Sequence, residues 1–133
     1  MTKARNLLRR IFKPRKQQRY LVENGTLVVV VTPGRHGQEQ RRQVHVIDIS
    51  MGGAAFIYEG SPEELEDTGF LQITSSTPNK EKVYFETVSD HPVPELDASQ
   101  PTYRRRGVKF TWMGALGESY LKEFIQDKGI CRL

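Results

Sequence analysis

The sequence is poor in cysteine, in metal-ligand clusters and in long apolar runs. Cys131 is the one cysteine among 133 residues, so no internal disulfide can form. The longest apolar runs, such as that at 27–31, are far shorter than the ~20 residues of a membrane-spanning helix. The basic N-terminus is not followed by the apolar core of a secretory signal. We therefore expect a cytoplasmic protein in a reducing setting.

Histidine is scarce as well. His36, His45 and His91 are scattered, and only Cys131 could join them as a ligand. This spacing is unlike that of a structural or catalytic zinc site, so we expect neither a metal nor a cofactor. Ser50 has no histidine at the spacing of a known motif, and Asp48 lacks a second carboxylate at an identifiable spacing. The sequence therefore predicts a protein that is not an enzyme.

Acidic residues are absent from the first 19 positions, which hold eight basic side chains. The remaining 114 residues hold 12 basic and 16 acidic side chains, so an acidic body follows a cationic arm. Such an arm repels itself and favours an anionic partner. Candidate partners are the phosphates of a small ligand, a nucleic acid and an anionic membrane surface.

The remaining composition is ordinary for one globular domain, with 37% apolar and 27% charged residues. About six short strands precede one amphipathic C-terminal segment, in which Leu116, Tyr120, Leu121, Phe124 and Ile125 follow a helical spacing and Gly129 is a stop signal. The pattern predicts a mainly β fold, a small antiparallel barrel with the helix packed on it. We assign residues 1–14 to the basic arm, with a short amphipathic helix, and 15–128 to the barrel domain.

Three local patterns give further expectations. In "QVHVIDIS", strict alternation places Val44, Val46 and Asp48 on one face of a strand. The segment "SPEELED" carries a helix start and predicts one turn. The proline-rich segment 90–101 is expected to be a long exposed loop. The arginine run 104–106 is expected to be a solvated strand start, with a ligand or partner contact as the alternative.

Two short motifs carry the chemistry. "RKQQR" places Arg15 and Arg19 four residues apart before the first strand, and their planar guanidinium groups fit phosphate oxygens or the edge of guanine. In "DISMGG", the Asp48 carboxylate can accept from the two adjacent donors of guanine, Ser50 can donate or accept beside it, and Gly53 lets a ligand approach the backbone. Taken alone, each motif is also explained by a solvated charge run or by a hairpin turn in which Asp48 caps backbone amides.

In this order, with 28 residues between Arg19 and Asp48, the two motifs resemble the signature of the PilZ domain family, Arg-x-x-x-Arg followed by Asp/Asn-x-Ser-x-x-Gly. The resemblance covers nearly the whole chain, from about Pro14 to Phe124. It implies a six-stranded antiparallel β-barrel closed by a helix, with cyclic di-GMP as the ligand. It also implies that Arg15 and Arg19 bind guanine and phosphate groups. Asp48, Ser50 and Gly53 would form the guanine contact on the barrel.

The sequence departs from richer versions of the family motif at one position. Some members carry a further arginine directly before the pair, where this chain has Pro14 after Lys13. The number of ligands bound per protomer is therefore left open. Lys13 and Arg10 are candidate auxiliary phosphate contacts.

The resemblance implies a cyclic di-GMP receptor that changes conformation on binding and signals to an unidentified protein partner, in control of motility, polysaccharide or pilus function. Two alternatives stay open. A small barrel with a basic arm and scattered aromatic residues could bind single-stranded nucleic acid, although its acidic body disfavours this. The arm could also act as a basic amphipathic anchor on a membrane surface, with or without ligand binding.

Overall fold

The computed structural model describes residues 18–34, 37–74, 80–94 and 102–133, with the side chains of 74, 80, 81 and 131 left out. Eight strands and one α-helix make up most of this part of the chain. They are β1 (Tyr20–Val22), β2 (Leu27–Thr32), β3 (Gln40–Ile49), β4 (Gly53–Glu59), β5 (Thr68–Thr74), β6 (Lys80–Pro92), β7 (Tyr103–Trp112), α1 (Ala115–Lys128) and β8 (Gly129–Arg132). One turn of 3₁₀ helix at Pro62–Glu64 follows Ser61, as the helix-start pattern predicts.

Six of the strands close into an antiparallel barrel. Their order is β2-β5-β6-β7-β4-β3, and β3 pairs again with β2, so this part of the sheet has no free edge. The predicted six-stranded barrel with a C-terminal helix is confirmed. Within the described residues, no helix is long and apolar enough to cross a membrane. No group of three or more potential metal ligands is found among these same residues.

The two remaining strands extend the barrel beside β3. β1 lies between β3 and β8 and pairs antiparallel with both. The backbone N–H of Leu133 donates to the carbonyl of Arg19 at 2.9 Å, beyond the end of β8. β8 is absent from the sequence prediction, which ends the fold at the Gly129 stop signal. Gly129 ends the helix and begins this strand.

The core fills the barrel and the space beneath α1. Phe56, Leu71 and Val83 are fully buried inside the barrel, and Leu121 and Phe124 of α1 pack against the same cluster. Each buried side chain of this size contributes about 1.5–3 kcal/mol to folding. Leu116, predicted to share the buried face of the helix, is 60% exposed instead. Gly117 lies on the buried side in its place.

A β-bulge in β3 overturns the predicted alternation of this strand. Val46 pairs with Phe56, but Asp48 pairs with Ala55, so β3 has one residue more than β4 at this point. Beyond the bulge Ile49 points into the core, where it joins Val46. Asp48 is therefore on the opposite face from Val46, because a shift of one residue moves a side chain to the other face.

The segment from Asp90 onward is not wholly a loop, and the arginine run is not wholly solvated. β6 continues to Pro92, and the Asp90 carboxylate accepts from Tyr58 at 2.5 Å, Arg104 at 2.5 Å and Arg106 at 2.8 Å. Arg106 is 1% exposed and also donates to the carbonyl oxygens of a neighbouring turn, those of Pro62, Leu65 and Glu66. These partners remove Asp90 and Arg106 from solvent. The rest of the predicted loop, 95–101, lies outside the described residues.

This network changes the titration of its members. Burial raises the pKa of Tyr58 to about 12, and the hydrogen bond to Asp90 adds to the rise. Burial alone would also raise the pKa of the Asp90 carboxyl. The hydrogen bonds from Tyr58, Arg104 and Arg106 outweigh burial and hold that pKa below its ordinary value. Asp90 is therefore the ionised centre of a buried charge network.

Candidate functional site

The bulge in β3 presents Asp48 to two arginines on the outer surface of the barrel. Arg19 Nη2 lies 2.5 Å from Asp48 Oδ1, and Arg105 Nη2 lies 3.1 Å from Oδ2. The Asp48 side chain is 5% exposed, whereas those of Arg19 and Arg105 are 49% and 41% exposed. One nearly buried carboxylate thus holds two half-exposed cations at the surface. This is the arrangement expected of a site for an anionic ligand that also carries hydrogen-bond donors.

Arg19 reaches Asp48 because of the register of β1. Leu21 pairs with Asp48 across β1 and β3, so alternation places Arg19, two residues earlier, on the same face as the carboxylate. The pairing of β1 with β8 and the hydrogen bond from Leu133 fix the backbone at this point. The structure therefore brings together Arg19 and Asp48, one residue from each of the two sequence motifs.

Ser50 holds the turn between β3 and β4. Its Oγ accepts from the backbone N–H groups of Gly52 at 3.0 Å and Gly53 at 3.1 Å, and its own N–H donates to the Gly53 carbonyl at 2.8 Å. In this turn Ser50 fills the role of a side chain that caps backbone amides. The Asp48 carboxylate is engaged with arginines instead.

Gly53 lies where β4 approaches β7 closely. A Cβ atom built at this position would lie 2.4 Å from the backbone oxygen of Val108. Glycine is therefore required at 53 by strand packing, in addition to the ligand approach inferred from the motif.

We expect Gly53→Ala to lower the free energy of unfolding by about 1–3 kcal/mol, the usual effect of overpacking against a fixed backbone. Chemical denaturation monitored by circular dichroism measures the change. Gly25→Ala is the contrast. A Cβ atom at position 25 would have open space around it, but the φ of 87° at this residue means that alanine would be destabilising through backbone strain and not through overpacking. A Gly53→Ala variant as stable as the wild type would contradict the close approach of β4 and β7.

Arg105 is a site residue that neither motif contains. It belongs to the arginine run for which a ligand or partner contact is the alternative to a solvated strand start, and it lies on β7 opposite Ile57 of β4 and His91 of β6. Its neighbour Arg106 points into the barrel, so alternation points Arg105 outward. The signal that could identify it is the register of β7 against β4, which is a tertiary property.

An apolar groove borders this site. It has a volume of about 440 Å³ and is lined mainly by apolar side chains, including those of Leu21, Ile47, Ile57 and Ile130, with His45 at its margin. Leu21 pairs with Asp48 and Ile47 precedes it, so the groove is adjacent to the carboxylate. Its volume is within the ~300–1,000 Å³ of small-molecule sites, and its walls suit the face of a planar base.

Arg15, together with the candidate auxiliary residues Arg10 and Lys13, lies outside the described residues. The described part of the site consists of Arg19, Asp48, Ser50 and Gly53 from the two motifs, joined by Arg105.

A closed six-stranded barrel with a C-terminal helix and a charged outer site at the β3–β4 turn defines a PilZ-like fold. Sequence comparison matches neither a protein-family profile nor a curated protein. Structural comparison finds PilZ domain structures. The PilZ domain of YcgR from Escherichia coli, solved with c-di-GMP, superposes with a TM-score of 0.64 at 16% identity, over 86% of this chain and 91% of that domain.

Two longer regulators show the same likeness. The MrkH–c-di-GMP complex from K. pneumonia matches with a TM-score of 0.59 at 13% identity, over 86% of this chain and 52% of that protein. The Bacillus subtilis inhibitor of motility, MotI, matches with a TM-score of 0.57 at 13% identity, over 87% of this chain and 52% of that protein. This chain thus spans about half the length of either regulator. At these identities the comparisons establish the fold.

Proposed function

We propose that this protein is a receptor for cyclic di-GMP that acts by binding and without catalysis. The observation that carries the proposal is the Asp48 carboxylate, nearly buried and held between Arg19 and Arg105 at the β3–β4 turn. The PilZ-like fold and the presence of c-di-GMP in two of the structural neighbours support it.

The chemistry of the site fits the two parts of this ligand. Guanine presents two adjacent donors, N1–H and N2–H₂, and a carboxylate offers two acceptor oxygens to match them. The phosphates match the guanidinium groups of Arg19 and of Arg15. The apolar groove beside Asp48 would receive the face of a base. Charge-assisted hydrogen bonds contribute about 1.5–3 kcal/mol each, enough in combination for micromolar binding after ordering costs.

The signalling step that we propose is ordering of the basic arm. The eight positive charges of residues 1–19 repel one another, and two ligand phosphates would neutralise part of that charge. Because Arg19 already lies beside Asp48, a phosphate bound by Arg19 and Arg15 together would draw the arm toward the barrel, creating a surface that a protein partner can bind.

We do not extend the proposal to single-stranded nucleic acid. Exposed aromatic residues are present, with Tyr84 and Trp112 in an edge-to-face contact at 5.8 Å. The groove beside Tyr84 is also lined by Glu39 and Glu86, whose carboxylates would repel phosphates. Membrane attachment through the arm remains compatible with the receptor function, since either anionic partner could bind the same basic residues.

Titration calorimetry with cyclic di-GMP tests the receptor proposal. We expect binding in the micromolar range or tighter, weakened at least tenfold in Arg15→Ala and in Arg19→Ala because each loses a charge-assisted contact. Arg41→Ala is the matched control, since Arg41 is similarly exposed and pairs with Glu39 away from Asp48. GTP and cyclic di-AMP should not compete. A wild-type protein that does not bind cyclic di-GMP would overturn the proposal.

Limited trypsin digestion tests the arm-ordering step separately. We expect saturating cyclic di-GMP to slow cleavage at the basic residues of the arm, with no protection in Arg19→Ala. Ligand binding without any change in the rate of cleavage would exclude ordering of the arm and leave the receptor function intact.

A further inference from the structure

Arg105 occupies the acceptor that a guanine would need. Oδ1 of Asp48 is paired with Arg19 and Oδ2 with Arg105, so each carboxylate oxygen has a cationic partner. A guanine that donates through N1–H and N2–H₂ requires both oxygens. Each oxygen keeps a further lone pair, but the Asp48 side chain is only 5% exposed, so a planar guanine edge reaches both oxygens once Arg105 moves aside.

The path of the Arg105 side chain shows that it belongs to the site. Arg105 is on β7 and Asp48 on β3, with β4 between them, so the two side chains together bridge two strand spacings, about 9.5 Å. Ala55 of β4 pairs with both Asp48 and Gly107, and it points outward yet is only 2% exposed. The small side chain at Ala55 leaves room for a longer side chain to lie over it. The outer face of β4 is thus the surface over which the Arg105 side chain reaches the carboxylate.

Displacement of Arg105 leaves neither charge without a partner. Its side chain is 41% exposed, so the released guanidinium is hydrated, while the donors of guanine replace it at the carboxylate, which is only 5% exposed. Once released, its guanidinium remains tethered to a barrel strand within reach of Asp48. A ligand that places guanine on Asp48 brings its own phosphates into the same neighbourhood.

We propose that Arg105 is a third ligand-binding arginine, outside both sequence motifs. Its guanidinium pairs with Asp48, and it moves to a phosphate of the ligand when guanine hydrogen-bonds to the Asp48 carboxylate. The proposal rests on the proposed function as a cyclic di-GMP receptor. It gives the site a cation on the barrel wall, supplied by β7. The exchange also keeps Asp48 paired with a donor in both states, so the nearly buried carboxylate is never left without a partner.

Titration calorimetry with cyclic di-GMP on Arg105→Ala, Arg105→Lys and Arg41→Ala tests this role. Arg41 is the matched control, because its side chain is similarly exposed, at 52% against 41%, and pairs with Glu39 away from Asp48. We expect Arg105→Ala to weaken binding at least tenfold. Arg105→Lys keeps the charge but loses the paired donors, so its loss should be smaller. Arg41→Ala should stay within twofold of the wild type.

The salt dependence of binding separates a phosphate contact from a role in orienting Asp48. Screening weakens contacts between charges, so loss of a phosphate contact should make the affinity of Arg105→Ala less dependent on salt than that of the wild type. Unchanged salt dependence would overturn transfer to phosphate. Tighter binding of Arg105→Ala would show that Arg105 only competes with ligand for Asp48, and would also overturn transfer to phosphate.

The outcomes also separate this inference from the receptor proposal. Wild-type binding together with equal affinity in Arg105→Ala would overturn the inference alone. Absence of binding to the wild type would overturn both. Because Arg105 is half-exposed, we expect its variants to unfold at the wild-type denaturant concentration, which checks that any loss of affinity is not a loss of fold.

Discussion

Asp48→Ala is expected to reduce the affinity for cyclic di-GMP at least 100-fold. The substitution removes both acceptors for the guanine edge, and hydrogen bonds to a charged group contribute about 1.5–3 kcal/mol each. Since about 1.4 kcal/mol corresponds to a tenfold change in affinity, the loss of two such bonds gives a factor of this size. Asp48→Asn keeps one acceptor oxygen and should lose less. Titration calorimetry measures all three affinities.

Glu23→Ala is a suitable control for Asp48→Ala. Glu23 is an exposed acid that pairs with Lys128 at 3.8 Å, so its removal changes the net charge equally without touching the site. We expect its affinity to equal that of the wild type. If Asp48→Ala bound as tightly as the wild type while Arg19→Ala did not, guanine would not be recognised by this carboxylate, and the arginines would bind the phosphates alone.

Asp90→Asn is expected to destabilise the fold by about 3–5 kcal/mol, the typical result of removing one partner of a buried ion pair. Asp90 pairs with Arg104 and with Arg106, and the Arg106 side chain is only 2% exposed. An amide of the same shape leaves that guanidinium without its counter-ion. The free energy of unfolding from urea denaturation measures the effect.

The contrast for Asp90→Asn is Asp127→Asn. The Asp127 side chain is 73% exposed and lies 3.9 Å from Lys128 at the end of α1. Loss of such a surface pair should change stability by less than about 0.5 kcal/mol. Equal stability of the two variants would mean that the Asp90 network contributes little to folding.

The same network predicts a dependence of stability on pH. The pKa of Asp90 is lower in the folded protein than its ordinary value of 3.8. The ionised form is therefore favoured by folding, and its stabilising effect is complete above the unfolded-state pKa and lost as the pH falls through the folded-state pKa. Between pH 5 and more acid solution, wild-type stability should fall more steeply than that of Asp90→Asn. If the free energy of unfolding of the two proteins fell equally with decreasing pH, this role of Asp90 would be contradicted.

The barrel and its helix could be predicted because their signals are local. Alternation and β-branched residues identify strands such as β2, and the helical spacing of Leu121 and Phe124 identifies α1. β8 could not be predicted in the same way. Its four residues follow Gly129 directly, and they become a strand only because β1 pairs with them.

Only part of the site could be predicted, again because sequence signals are local. The motif spacing brings Arg19 together with Asp48, but Arg105 enters only through the register of β7 with β4. Asp90 shows the converse. Its proline-rich surroundings indicate a loop, whereas arginines 14 and 16 residues later along the chain pair with it. Partners supplied by another strand decide whether a charged residue is solvated, buried or part of a site.

The surplus residue in β3 also limits how the length of this strand can change. The bulge between Val46 and Asp48 separates a half of the strand that pairs with β2 from a half that carries the carboxylate and its turn. Removal of one residue at the bulge would leave a regular ladder with the core and outer faces unchanged. Addition of one would place two surplus residues at the same point. This strand should therefore tolerate a deletion at position 47 better than an insertion there, so sequence changes near the carboxylate are constrained in length as well as in chemistry.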